Sequence, residues 1–284
     1  MFRMNDLSHA PPVFASGRGG LVVEKVSGQS AVTAAWASSP LKVLMPRPRG
    51  QSVWAYLSSF GGGLVAGDET TLDLRLAAGT RAFISTQAST KVYRNPHRRA
   101  CGHRLGATLG TDALLVFAPD PVQAFAGSSY MQRQEFRLQP GASLALVDWF
   151  TSGRSACGER WAFNRLQSRN DIFCGDERLL VDSLLLDPAD GALAEPHRLG
   201  RFNCLALVVL LGPALRDAAA RVLAEVAEQP VTRRATLVCS ASAIRDGALL
   251  RIAGEHVEDV GREIHRHLGF LSGLLGDDPL ARKW

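Results

Sequence analysis

Three carboxylates in turns or at strand ends, Asp68, Asp148 and Glu159, are the residues of this chain whose type and placement suit chemistry. Oxygen donors of this kind hold a divalent cation weakly and release it readily, which is the behaviour needed for handing a metal on. Each also has a structural use. Asp68 ends the run Gly61-Gly62-Gly63-Leu64-Val65-Ala66-Gly67, where its carboxylate can close its own glycine turn through an Asx-type hydrogen bond. Glu159 lies near Arg154 and Arg160, and either would pair with it. Asp148 has no near basic neighbour and precedes Trp149 and Phe150, so burial without a partner would be expensive; a polar or water-filled channel would relieve that cost. As an alternative, Asp148 and Glu159 meeting in space would make the acid and base of a carboxylate hydrolase.

Other chemistries fail on spacing. Gly62 and Gly67 have the spacing of a phosphate loop, but the next residue would then be a lysine, and Asp68 would repel phosphate. Such a loop also opens a helix, whereas residues 71–76 alternate polar and apolar like a half-buried strand. No Gly-x-Ser-x-Gly elbow occurs, and the seven histidines are scattered. Cys101 and His103 would share one face of a strand, yet no second pair completes a tetrahedral set, and the simpler reading is a loop thiol beside a solvated histidine. His265 and His267 diverge on a helix. Lys91, Tyr93, Arg94, His97, Arg98, Arg99, His103 and Arg104 form a basic cluster. A nucleic-acid module would interleave aromatics there, and only Tyr93 is available, so the choice lies between a solvated loop and docking on an acidic partner. Within it, Lys91 and Arg94 are candidates to pair with Asp68 or Glu159.

The elements that must position these residues are mostly strands. Runs at residues 21–26, 53–57, 72–76, 81–85, 114–117, 134–138, 144–149, 161–166 and 179–186 are separated by Gly, Pro, Asn and Asp, and read as a large antiparallel-type β body. Pro213 starts a helical pattern carried by Leu215, Ala219, Val222 and Val226 and ended by Pro230. A second stripe, Val257, Val260, Ile264, Leu268 and Leu271, stops near Gly276, and residues 235–239 and 248–252 read as further strands. A chain of 284 residues with 46% hydrophobic content can bury a full core, and no linker divides it. The formal charge of +5 reports steering and not the partner's identity. Five cysteines without a Cys-x-x-Cys pair, no apolar run of ~20 residues and no signal-peptide core in residues 1–20 imply a cytoplasmic protein that neither crosses nor anchors to a membrane.

The ordered motifs carry a resemblance. Gly62-Gly63-x-x-x-Gly67-Asp68, Thr86-Gln87-x-x-x-Lys91-x-Tyr93-Arg94, residues 40–43, 118–122 and 127–130, and Gly153-Arg154 followed by Gly158-Glu159-Arg160-Trp161 together resemble the urease accessory protein D family (UreD, also called UreH). The similarity runs over residues 20–190 and more loosely to the C-terminus. Ala281 and Ser85 depart from the family's usual proline and threonine and leave the charged positions untouched. The resemblance implies one UreD-like domain over residues 1–284, a flexible N-terminus of ~17 residues, and a two-layer, β-helix-like winding of many strands with two helices in the C-terminal third. It further implies a non-enzymatic scaffold, without a tightly bound cofactor, that joins UreF and the GTPase UreG, docks on apo-urease and helps deliver nickel. In that reading Asp68, Asp148 and Glu159 line or flank a passage for transient Ni2+. Gly62, Gly63, Gly67, Thr86, Gln87, Lys91, Tyr93, Arg94, Gly153, Arg154 and Gly158 shape or dock the protein around it. The helical segments 213–228 and 255–275, with the tail, are the expected UreF surface, because terminal amphipathic helices are free to pack on another helical protein.

Overall fold

The computed structural model describes residues 17–47, 50–96 and 99–281. The flexible segment expected at the start lies, but for Gly17, outside the described residues, as do His97 and Arg98 of the basic cluster and 282–284 of the tail.

The first strands are β1 (Arg18–Val26), β2 (Gln29–Ala37), β3 (Leu41–Leu44), β4 (Val53–Ser59), β5 (Glu69–Leu76) and β6 (Arg81–Thr86). Next come β7 (Thr90–Val92), β8 (Cys101–Leu109), β9 (Leu114–Phe117), β10 (Val122–Ala124), β11 (Ser129–Leu138) and β12 (Ser143–Thr151). The last are β13 (Arg165–Cys174), β14 (Glu177–Leu186), β15 (Cys204–Leu211), β16 (Leu237–Ile244) and β17 (Gly247–Gly254). Three helices, α1 (Arg216–Glu228), α2 (Val257–Leu268) and α3 (Leu271–Leu275), fall in the C-terminal third.

Two sheets face each other. One has the order β14-β13-β11-β8-β5-β1-β2, and the other runs β16-β17-β15-β12-β9-β6-β4-β3, with β10 and β7 beside β12. From β4 to β13 the long strands alternate between them, with the short β7 and β10 staying beside the second sheet, so that each circuit adds one long strand to each sheet. Neighbours within a sheet are therefore parallel: β5, β8, β11 and β13 in one layer, β4, β6, β9 and β12 in the other. Antiparallel pairs close the edges. The body is thus mainly β and wound like a β-helix, and the antiparallel reading of its centre is corrected. Short strands divided by turn residues look alike in sequence whether the turn folds back into the same sheet or crosses to the other.

The layers explain the two kinds of apolar pattern. The sheet containing β12 is buried on both faces, and all nine residues of β12 are buried. The opposite sheet has one wet face, so β11 alternates buried and exposed positions. Between the sheets, Leu72, Leu74, Leu105, Phe136 and Ile172 meet Ala55, Ile84, Phe117, Leu144 and Leu146. On the outside of the second sheet, Ala219, Val222, Val260, Ile264, Leu268 and Leu271 cover Phe83, Val116, Ala145 and Val208. Fully burying one such aliphatic side chain contributes roughly 1.5–3 kcal/mol. The apolar stripes of α1 and α2 are therefore spent on the protein's own sheet, which removes the argument that these helices are free for a partner. The second stripe is also interrupted, at Gly269-Phe270, and ends on the left-handed Gly276 (φ 79°).

Two local readings change as well. The strand expected at 161–166 begins at Arg165, while Trp161 (φ 53°) is in the preceding turn and its Nε1 donates to the Phe202 carbonyl at 2.9 Å. Strands β2, β3, β7, β8 and β10 are not visible in the apolar pattern; in β8, Gly102 and Gly106 interrupt it.

Candidate functional site

A row of polar side chains crosses the inner face of the first sheet. Thr70 (β5), His103 (β8), Gln132 (β11) and Ser168 (β13) are successive register partners on four parallel strands. One period further along, the same stripe becomes Leu72, Leu105, Gln134 and Asn170. From the opposite sheet Asp148 projects into this row, at the same parity as Leu144 and Leu146 in the interlayer core. A cavity of about 200 Å³ opens here, lined by Thr70, Thr86, His103, Tyr130, Gln132, Asp148 and Trp149 among others.

Asp148 is 4% exposed, yet its carboxylate is well supplied with donors. Oδ1 accepts from Gln132 Nε2 at 2.8 Å, and Oδ2 from Ser168 Oγ at 2.8 Å and Asn170 Nδ2 at 2.9 Å. Tyr130 Oη donates to the other end of Gln132 at 3.0 Å. Burial raises the proton affinity of Asp148 above the ordinary carboxylate range, and Asp182 adds to this, although the three hydrogen bonds pull the other way. The site is an acid in a polar pocket with no cationic side chain bonded to it.

Gly62 and Leu64 of the glycine turn also line the cavity. Gly62 (φ 71°) and Gly67 (φ 85°) occupy left-handed conformations, and Gly63 packs against β7. Leu64 N donates to Lys91 O at 2.8 Å and Tyr93 N to Leu64 O at 2.9 Å, so the turn and the Thr86-to-Arg94 block form one unit. Asp68 closes the turn: its Oδ2 accepts from Val65 N at 2.9 Å, and its carbonyl accepts from Gly102 N at 2.9 Å. Thr86 and Asp120 bond reciprocally, Thr86 Oγ1 to Asp120 Oδ2 at 2.9 Å and Asp120 N to Thr86 Oγ1 at 2.7 Å. Gln87 N donates to Leu57 O at 2.8 Å.

Glu159 belongs to a neighbouring stack. It forms an ion pair with Arg154, whose Nε lies 3.0 Å from Oε2, and accepts from Ala126 N at 3.2 Å. The Arg154 hydrogen bond holds its carboxyl below the usual range. Arg154 lies over the Phe125 ring at 4.6 Å, and Tyr93 meets that ring edge-on at 5.6 Å. Arg94 packs its stem across Gly127. Gly153 (φ 107°) passes close to Ala124 O, and Gly158 (φ 78°) ends the Ser155–Cys157 turn. Among the described residues, neither Lys91 nor Arg94 forms an ion pair with Asp68 or Glu159.

Of the three carboxylates, Asp148 lines the cavity, while Asp68 and Glu159 are each bonded within their own loop. Among the described residues, no group of three or more His, Cys, Asp or Glu is placed to hold a metal ion as a set. The reading of Cys101 and His103 as a loop pair is overturned: both are on β8, Cys101 buried and His103 half-buried at the cavity. Burial, helped by Asp68, pushes the Cys101 thiol up to about 12, and burial pushes the His103 imidazole down to about 4, so its ring is neutral at physiological pH. The partners of Asp148 were missed by motif reading. Their signal was present in the parity of β11 and β13, where Gln132 and Gln134 alternate in phase with Tyr130 and Phe136, and Ser168 and Asn170 with Leu166 and Ile172.

Known proteins resemble this chain over nearly its whole length. A family model described as UreD urease accessory protein matches residues 15–284. A urease accessory protein UreD of Sorangium cellulosum is 50% identical over 270 residues, covering 95% of this chain and 85% of its own length. A relative of the same description from Anaeromyxobacter sp. is 42% identical over 267 residues, 94% of this chain and 89% of its own. Urease accessory protein D of Arabidopsis thaliana is 34% identical over 293 residues, 93% of this chain and 99% of its own.

Proposed function

The chain belongs to the UreD urease accessory protein family, and from that premise we propose that it serves urease maturation as a non-enzymatic conduit, passing Ni2+ through its interlayer cavity toward apo-urease. UreF and the GTPase UreG are its partners in this reading, and the cytoplasm is its place of action. No described helix is long and apolar enough to cross a membrane.

The observation that carries the reading is Asp148: a buried carboxyl group between the two sheets, supplied with three neutral donors and lining the cavity. A divalent cation entering there would bind the carboxylate, and its charge would offset the cost of ionising a buried acid. A site with so few ionic donors holds its cargo loosely, which suits transfer. Asp68 and Glu159 shape the loops beside it. The exposed apolar side chains Phe60 and Val65 border the lining residues Ser59, Gly62 and Leu64, and in this reading they form the docking rim for a partner.

The alternatives lack such support. Glu159 is not among the residues lining the cavity of Asp148, which leaves the hydrolase without its acid and base pair. Tyr93 is committed to Phe125, which leaves the basic cluster without a base-stacking platform. The test is co-expression of urease structural subunits with the other accessory proteins and either this chain, its Asp148→Ala variant, or neither. Nickel content and urea hydrolysis should both fall without the chain and with the variant. Full metal loading in its absence would overturn the proposal.

A further inference from the structure

We propose that His103 is the nitrogen donor through which the cavity favours borderline transition-metal cations over Mg2+ and Ca2+; the inference rests on the reading of that cavity as a cation passage. His103 stands in the polar row between Thr70 and Gln132, the residue that also bonds Asp148. A cation moving along the row therefore meets an imidazole and a carboxyl group separated by one amide side chain.

Thr70 holds the ring. His103 Nδ1 lies 2.8 Å from Thr70 Oγ1, and that hydroxyl also lies 3.3 Å from the Gly102 carbonyl. In the tautomer that a metal-binding role requires, the hydroxyl donates to that carbonyl and accepts from Nδ1–H, which leaves Nε2 with a bare lone pair. Among the described residues, Nε2 has no protein partner. In that arrangement Thr70 is a positioning residue that holds the tautomer and the ring plane, as the outer partners of metal-binding histidines do.

The chemistry of the lining makes this nitrogen distinctive. The other polar side chains there are hydroxyls, amides, an indole and carboxyl groups. Amide and indole N–H groups cannot bind a cation, so the remaining donors are oxygens, which suit Mg2+ and Ca2+ as well as nickel. One imidazole nitrogen shifts the preference toward Ni2+, Co2+ and Zn2+. Since no complete ligand set surrounds it, water supplies the remaining positions and the cation stays exchangeable.

The full-length chain is to be titrated with Ni2+ and, separately, Mg2+, and its nickel-edge X-ray absorption recorded for the scattering pattern of a coordinated imidazole. His103→Gln retains a polar side chain of similar reach, and circular dichroism checks its fold. The wild-type protein should bind Ni2+ with an imidazole signature. His103→Gln should lose that signature and bind Ni2+ about tenfold more weakly, with Mg2+ binding unchanged. Absence of Ni2+ binding or of the imidazole signature in the wild type, which needs no variant, would overturn the inference, as would unchanged Ni2+ affinity in the variant. The urease co-expression assay separates the two levels. Loss of nickel loading with Asp148→Ala but full loading with His103→Gln would sink the role of His103 and leave the passage standing; full loading with both would sink the passage and this inference together.

Discussion

A Cβ placed on Gly63 would lie 2.6 Å from the carbonyl oxygen of Lys91. Two motifs almost thirty positions apart are thereby one clamp, with Leu64 bonded to both ends of a single β bridge to Val92. Gly63→Ala must push β7 away from the turn that borders the cavity. We expect a loss of roughly 1–3 kcal/mol in unfolding free energy, read by urea denaturation, and lower urease activation in the co-expression assay. An unchanged midpoint would show that the turn yields at no cost.

Asp148 gives stability an unusual pH dependence. Its folded-state pKa lies above the ordinary 3.8, so its contribution is fully present below that value and is lost as pH rises through the raised one. Asp148→Asn lacks this titration. The variant's stability relative to wild type should therefore increase from pH 4 toward pH 8 in parallel urea titrations. A difference that stays constant with pH would mean that the carboxyl group does not titrate differently in the folded protein.

The contact between α1 and α2 has the opposite sign. His267, 6% exposed, lies 3.1 Å from Glu263, and Arg266 bonds both Glu263 and Glu225. These partners lower the Glu263 pKa from 4.5 to about 2, so its stabilisation is present above 4.5 and is lost as pH falls toward 2. Glu263→Gln should cost about 2 kcal/mol at pH 7, with the gap to wild type closing between pH 4.5 and 2. A gap that persists at the acid end would assign the loss to packing.

Glu159→Gln separates a loop-closing role from a cation-binding one. Its partner Arg154 is about half exposed, so thermal stability should hardly move. Nickel loading of urease should also stay near the wild-type level, because Glu159 does not line the cavity. Loss of loading at unchanged thermal midpoint would restore Glu159 as a cation ligand.

Much of this protein could be read along the chain, because local physics writes local patterns. Period-two alternation located β5, a continuous apolar run located β9, the spacing of Val222 and Val226 located α1, and ordered glycine, lysine and carboxylate motifs carried the family. Asp148 stood out as an acid without a neighbouring base, and its burial among polar groups followed. The flaws arose where one pattern serves two arrangements. Alternating runs with breakers describe hairpins and solenoid turns equally, and a stripe on α2 does not say whether the protein's own sheet or a partner will cover it.

Sequence alone determined the β character, the two C-terminal helical segments and the residues that carry family resemblance, since these depend on side-chain period and residue type within short windows. Only the tertiary winding decided that Thr70, His103, Gln132 and Ser168 share one row facing Asp148. Parallel register joins strands some thirty residues apart, and one shift of register by a single residue would turn each of those side chains out to solvent.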